Sequence, residues 1–196
     1  NGTLTVLGTN TAWGTNGVIT ANTYDRSSYS KSITTTFRTA SCGAAAVGGI
    51  GYGDTNINTA GTASYIVSLN GSSLHFYYFN NGSSVSDAVV SGFSCSTSTT
   101  YTIKLLVKAS GGAEVYLNGS GTPNATVAGG SFTNKSFYLQ SYSSSLATYD
   151  DVVIESVDPT APSAPQSLVA RETNASVVLS WSAPTSDGGA AITDYL

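Results

Sequence analysis

Residues 101–119 read YTIKLLVKASGGAEVYLNG. Tyr101, Ile103, Leu105 and Val107 fall on one side of an extended strand, and Thr102, Lys104 and Lys108 on the other. Ser110, Gly111 and Gly112 then offer the positive φ angles of a tight reversal. The return run puts Ala113, Val115 and Leu117 on one face and Glu114, Tyr116 and Asn118 on the other. This is a β-hairpin with one apolar face, and it sets the class of the fold.

The same pattern extends outward. Strand-like runs occur at 2–7, 18–21, 32–39, 47–52, 63–69, 73–79, 85–90, 136–142 and 151–157. Turn signals separate them, including Asn70-Gly71, Asn81-Gly82 and Asn118-Gly119. Asn-Gly accepts the two positive φ angles of a type I′ turn, so residues 63–79 read as a second hairpin. Short strands without a helical period predict an all-β antiparallel sandwich or barrel.

The chain has 196 residues, of which 40% are hydrophobic and 9% charged. The apolar share supports a core, while solubility rests on Ser, Thr, Asn and Gly, a composition expected of secreted or surface-exposed β-proteins. The net charge is −4 with seven Lys and Arg, too few and too scattered for a phosphate-binding patch, which argues against nucleic acid. No apolar run approaches the roughly 20 residues of a membrane-spanning helix. The chain begins at Asn1 and contains no Met, as a processed or excised segment would. Cys42 and Cys95 flank strand-like runs. They are read either as one disulfide, consistent with an oxidising compartment, or as two free thiols.

Composition shifts at Asp158, where DPTAPSAPQ packs prolines into a stiff linker over 158–165. The tail PSAPQSLVARETNASVVLSWSAPTSDGGAAITDYL resembles the start of a fibronectin type III domain over about 162–196, through its Pro-rich entry, Trp181 and Tyr195. That resemblance implies a first strand within 167–171 and core roles for Trp181 and Tyr195. Such a fragment lacks the strands that would cover Trp181, so packing against the first domain or self-association through residues 160–196 is expected. Residues 1–157 resemble a concanavalin A-like, laminin G-like jelly roll, through the 101–119 hairpin and the closing TYDDVVIESV. Together the two resemblances imply a lectin-like sandwich followed by an incomplete fibronectin type III segment, as in bacterial surface proteins.

Glycosidases on that sandwich carry a Glu-x-Asp-x-x-Glu strand, and none is present here. Glu114, Glu155 and Glu172 are far apart, Asp150 and Asp151 alternate in direction, and His75 has no acidic or Ser partner nearby in sequence. Catalysis is therefore not expected. Aromatic rings stack on sugars, and Tyr138, Gln140, Tyr142, Tyr116, His75 and Tyr77 are read as a ligand-binding platform on one concave sheet, or alternatively as strand filler. Trp13 is read as a core plug or a ligand platform. Asp54, Asn56 and Asn58 have the D-x-N-x-N spacing of Ca²⁺ ligands, or form an Asn-rich turn. Seven Asn-x-Ser/Thr sequons, among them Asn70, Asn118 and Asn124, are glycan acceptors or chance.

The expectation is thus a non-catalytic extracellular glycan-binding or adhesion module of a larger surface protein. A structural subunit of a surface layer, stalk or filament is the alternative, and a glycoside hydrolase-like enzyme stands third.

Overall fold

The structure, a computed structural model, describes residues 4–7, 17–27, 29–43, 48–130, 132–141, 146–157, 161–174, 176–187 and 192–195. Trp13 and Tyr142 lie outside them. The described residues form fourteen strands and no helix. They are β1 (Leu4–Leu7), β2 (Gly17–Ile19), β3 (Ser30–Thr39), β4 (Gly49–Gly53), β5 (Ala63–Asn70), β6 (Ser73–Asn80) and β7 (Ser83–Val89). There follow β8 (Tyr101–Val107), β9 (Ala113–Leu117), β10 (Ala125–Val127), β11 (Ser136–Gln140), β12 (Leu146–Val157), β13 (Gln166–Thr173) and β14 (Ser176–Ser182).

Two six-stranded sheets result. The first has the order β1-β12-β3-β8-β9-β10 and the second β2-β11-β4-β5-β6-β7, every pair antiparallel. The fold is a two-sheet sandwich of jelly-roll type. Alternation sets which side chains meet between the sheets. Tyr101, Ile103, Leu105 and Val107 of β8 and Ala113, Val115 and Leu117 of β9 enter the core as their spacing predicts. From the second sheet come Ile50, Tyr52, Tyr65, Val67, Phe76, Tyr78, Phe137 and Leu139. The short edge strand β10 gave no signal among the strand-like runs; three residues of ATV are too few for periodicity.

The turns differ in one respect from the sequence reading. Asn81 and Gly82 both have positive φ (52° and 81°) between the paired residues Asn80 and Ser83, as a type I′ turn requires. In the preceding hairpin Asn70 pairs with Ser73, so the turn centres on Gly71 and Ser72 rather than on Asn70-Gly71. Gly71 there takes φ 62°, and Asn70 stays in the strand.

Cys42 and Cys95 form a disulfide with Cα atoms 5.9 Å apart across a sequence separation of 53. Cys42 follows β3 and Cys95 precedes β8. Phe37 pairs with Tyr101 on these neighbouring strands, so both loops leave one end of the first sheet. Arg26 ties down other loops. It is 1% exposed, and its guanidinium donates to the carbonyls of Phe132 (2.8 Å), Gly130 (2.6 Å) and Lys108. The sequon asparagines are engaged as well. Asn118 Oδ1 accepts from Thr102 N–H at 3.0 Å, and Asn124 accepts from Leu117 N–H at 2.8 Å while donating to Ser91 O at 2.9 Å.

Strands β13 and β14 pair only with each other, as a separate two-stranded sheet. Every described side chain on them is exposed. The expected cover for Trp181 is not present among the described residues: the indole is 41% exposed and meets Tyr195 edge-on at 5.3 Å. At Asp150 and Asp151 a register shift interrupts β12 and Asp151 takes φ 51°, so simple alternation does not apply there.

Two outcomes are expected in denaturant unfolding. Replacing Cys42 and Cys95 by Ser lowers stability by about 4 kcal/mol, the loop-closure entropy of a loop of this length. Arg26→Ala lowers it by on the order of 3 kcal/mol, since charge-assisted bonds to buried carbonyls are lost together. Arg26→Lys recovers only part of that loss, because an ammonium cannot fork to three carbonyls.

Candidate functional site on the outer face of the second sheet

The residues read from sequence as one platform do not share one face. Tyr116 and Glu114 project from β9 on the outer side of the first sheet. His75 and Tyr77 of β6 and Tyr138 and Gln140 of β11 project from the outer side of the second. The platform is corrected accordingly: strand alternation gives the face of each residue but not the sheet that holds its strand. Tyrosine abundance has a second explanation too. Tyr52, Tyr65, Tyr78, Tyr101, Tyr138 and Tyr149 are all buried.

On the second sheet, pairing aligns the outward residues in rows. Gln140 stands opposite Gly49, Gly49 opposite Ser68, and Ser68 opposite His75. In the next row come Tyr138, Gly51, Ile66, Tyr77 and Asp87. The outward positions of β4 are glycines, and the space they leave is used. A Cβ on Gly51 would fall 2.2 Å from the Tyr138 ring, so the phenol lies flat across that backbone. Tyr138 Oη sits 2.5 Å from Ser64 Oγ, and the ring packs with Ile57, Ile66 and Phe79. It is 2% exposed, and burial pushes its phenol up. Tyr138 is thus part of a wall rather than a stacking surface.

Beside that wall lies the chemically distinctive group. His75 Nδ1 is 2.8 Å from Asp87 Oδ1. The imidazole stacks on Tyr77 with ring centroids 5.6 Å apart and planes 11° from parallel. Asn70 Nδ2 donates to Tyr77 Oη at 3.1 Å. Burial raises the Tyr77 phenol, Asn70 lowers it, and the Asp87 charge raises it further. With Nδ1–H donating to Asp87, Nε2 keeps its lone pair, and it has no hydrogen-bond partner among the described residues. In the same row, Ser68 Oγ and both side-chain amide atoms of Gln140 are buried with no hydrogen-bond partner among the described residues, as are Ser32 Oγ and Ser86 Oγ elsewhere.

The expectation that His75 lacks an acidic partner is therefore overturned. Asp87 reaches it through a β-bulge. Tyr78 pairs with Ser86 but Phe79 with Ser84, so β7 carries one extra residue. Without that insertion the Asn81-Gly82 turn would set Asp87 opposite Phe76, facing the core.

The Asp54 carboxylate of the Ca²⁺ reading is already engaged. Both oxygens of Asp54 face Lys135 Nζ, at 2.6 and 2.8 Å, and Oδ2 also accepts from Ala63 N–H. A lysine ammonium already supplies the cation there. No group of three or more His, Cys, Asp or Glu side chains placed to hold a metal ion occurs among the described residues.

No family model and no curated protein matches the sequence. Solved structures do resemble the fold. A native glycosidic hydrolase superposes with a TM-score of 0.57 at 12% identity, covering 83% of this chain and 80% of that one. Alginate lyase A1-II′ superposes with a TM-score of 0.52 at 16% identity, covering 79% of each chain. An alginate lyase of polysaccharide lyase family 7 has a TM-score of 0.46 at 14% identity, and the match covers 69% of this chain and 62% of that lyase. At these identities the likeness establishes the fold, a jelly-roll sandwich. It is a fold that carries enzymes acting on carbohydrate, which corrects the expectation of a non-catalytic binding module and of a structural subunit. Catalysis was set aside on sequence because no paired carboxylates and no partner for His75 lay close together along the chain.

The wall has a direct test. Gly51→Ala is expected to expel Tyr138 and to cost about 1–3 kcal/mol, as overpacking does. Added to Tyr138→Ala, the same substitution should cost much less. Urea unfolding of the two single variants and the double variant reads that coupling.

Proposed function

We propose that this chain is a carbohydrate-active enzyme that cleaves an acidic polysaccharide by β-elimination on the outer face of the second sheet. The observation that carries this reading is His75, held at Nδ1 by Asp87 with Nε2 unpartnered beside the stacked Tyr77. A base oriented by a carboxylate is the arrangement proton abstraction needs. The fold's likeness to an alginate lyase supplies the substrate class, a polymer of uronic acids. Hydrolysis by paired carboxylates suits the site less well. Asp87 is engaged with His75 and Asp54 with Lys135, so neither is free to pair with a second acid.

Each step assigns a task to a residue. His75 Nε2 removes the proton on the carbon next to the uronate carboxylate, and Asp87 stabilises the imidazolium that forms. The electron pair makes the ring double bond while the glycosidic C–O bond breaks. Tyr77 gives its phenolic proton to the departing oxygen; its raised affinity for that proton keeps it in the acid form until then. An extracellular setting accords with this reading, since polysaccharides are met there and the Cys42–Cys95 disulfide persists in oxidising surroundings.

The test is incubation with alginate, with pectate and with a neutral glucan, following ultraviolet absorbance of an unsaturated uronate alongside new reducing ends. Both signals are expected to rise together on a polyuronate. His75→Ala should lower kcat by about 10²–10⁴-fold, the usual share of a general base. Asp87→Asn should lower it less, with the fold intact by circular dichroism. Reducing ends without the chromophore, or full activity in His75→Ala, would overturn the proposal.

A further inference from the structure

A groove of about 460 Å³ crosses the outer face of the first sheet, on the other side of the sandwich from His75. That volume lies within the range of small-ligand sites, about 300–1,000 Å³. Its walls come from four neighbouring strands, with Val157 of β12 at one side. Lys104 of β8 stands directly opposite Tyr116 of β9 on one side and Thr34 of β3 on the other. Leu106 and Thr102 join the lining from β8, and Gly119 and Ser120 from the turn that follows β9.

The charges on this face are arranged unequally. Glu114 pairs with Lys108 at 3.2 Å and also accepts from Tyr116 Oη at 2.7 Å. That bond fixes the phenol while leaving the ring beside the groove. Lys104, by contrast, has no ion pair or hydrogen bond among the described residues. The groove therefore holds an uncompensated ammonium, an anchored aromatic ring, an apolar patch at Leu106, and hydroxyls that both donate and accept. An ammonium binds a carboxylate as a point charge, and an aromatic ring packs against the C–H face of a pyranose.

We infer that this groove is a second saccharide-binding site, which holds an acidic segment of the polymer on the opposite face of the sandwich from the site of cleavage. It rests on the proposed polyuronate substrate for its ligand class, and its position away from His75 lets the two be tested apart. A polymer held there stays near the protein between cleavage events, so the site acts on long chains and not on short ones.

The experiment is calorimetric titration with long-chain alginate of His75→Ala and, should that variant not fold, His75→Gln. Binding is expected, weakening as salt is raised. Adding Lys104→Ala or Tyr116→Ala should weaken it about tenfold, and Lys104→Arg should largely restore it. With His75 intact, Lys104→Ala should raise KM several-fold on long alginate and leave turnover of short oligomers unchanged. Alginate binding that is lost in Lys104→Ala, in a protein that cleaves nothing, would sustain the second site and sink the proposed enzyme. Cleavage with long-chain binding and KM unaltered by both substitutions would overturn the second site and leave the enzyme standing. Absence of alginate binding in the folded His75 variant overturns the second site as well.

Discussion

A phenol buried between two sheets needs an acceptor for its hydroxyl, and much of this structure follows from where those acceptors come from. Tyr52 donates to Tyr24 O at 2.7 Å, Tyr65 donates to Gly129 O, and Tyr149 donates to Gln140 O at 2.7 Å. Each ring belongs to the core, and each hydroxyl fixes backbone at or beyond the end of a strand. Arg26 works the same way from the loop side, and its guanidinium lies 5.5 Å above the Phe132 ring, which stacks in turn on Tyr52. Loops held by core residues need few surface charges. That suits a chain in which charged residues are scarce.

With the inner faces committed to packing, the outer faces are left to differ. On the second sheet the glycines of β4 remove side chains from the middle of the face, and Tyr138 settles onto the bare backbone. The result is a raised wall beside a lower row that runs from Gln140 to His75. On the first sheet the middle strands carry Thr, Lys and Tyr outward, and no such wall forms. The single bulge in β7 then decides the chemistry, because it brings a carboxylate around the sheet edge to the histidine.

This division marks what could be read from the sequence. The 101–119 hairpin, the sides of β8 and β9, and the two-sheet architecture were legible, because alternation is local and a buried face demands it. Sheet membership was not. Tyr116 and Tyr138 both alternate outward, yet strand order sends them to opposite sides of the molecule. The bulge was hidden for a related reason: Ser84, Val85 and Ser86 carry no residue type that forces an insertion. The spacing of Asp54, Asn56 and Asn58 suggested a cation, and the structure supplies one as Lys135, distant in sequence. Long-range pairing of this kind has no periodic signature.

Ser64 and Ser68 show how differently two buried hydroxyls on one face can be met. Both lie on β5, both face outward, and both are fully buried. Ser64 is satisfied by Tyr138, whereas among the described residues Ser68 has no partner, and neither does the Gln140 amide across Gly49. Each unmet buried group costs about 1–3 kcal/mol, a large share of a marginal stability. Ser68 and Gln140 are closed off from solvent, so the proposed reading rests on His75 and Asp87, whose side chains solvent reaches.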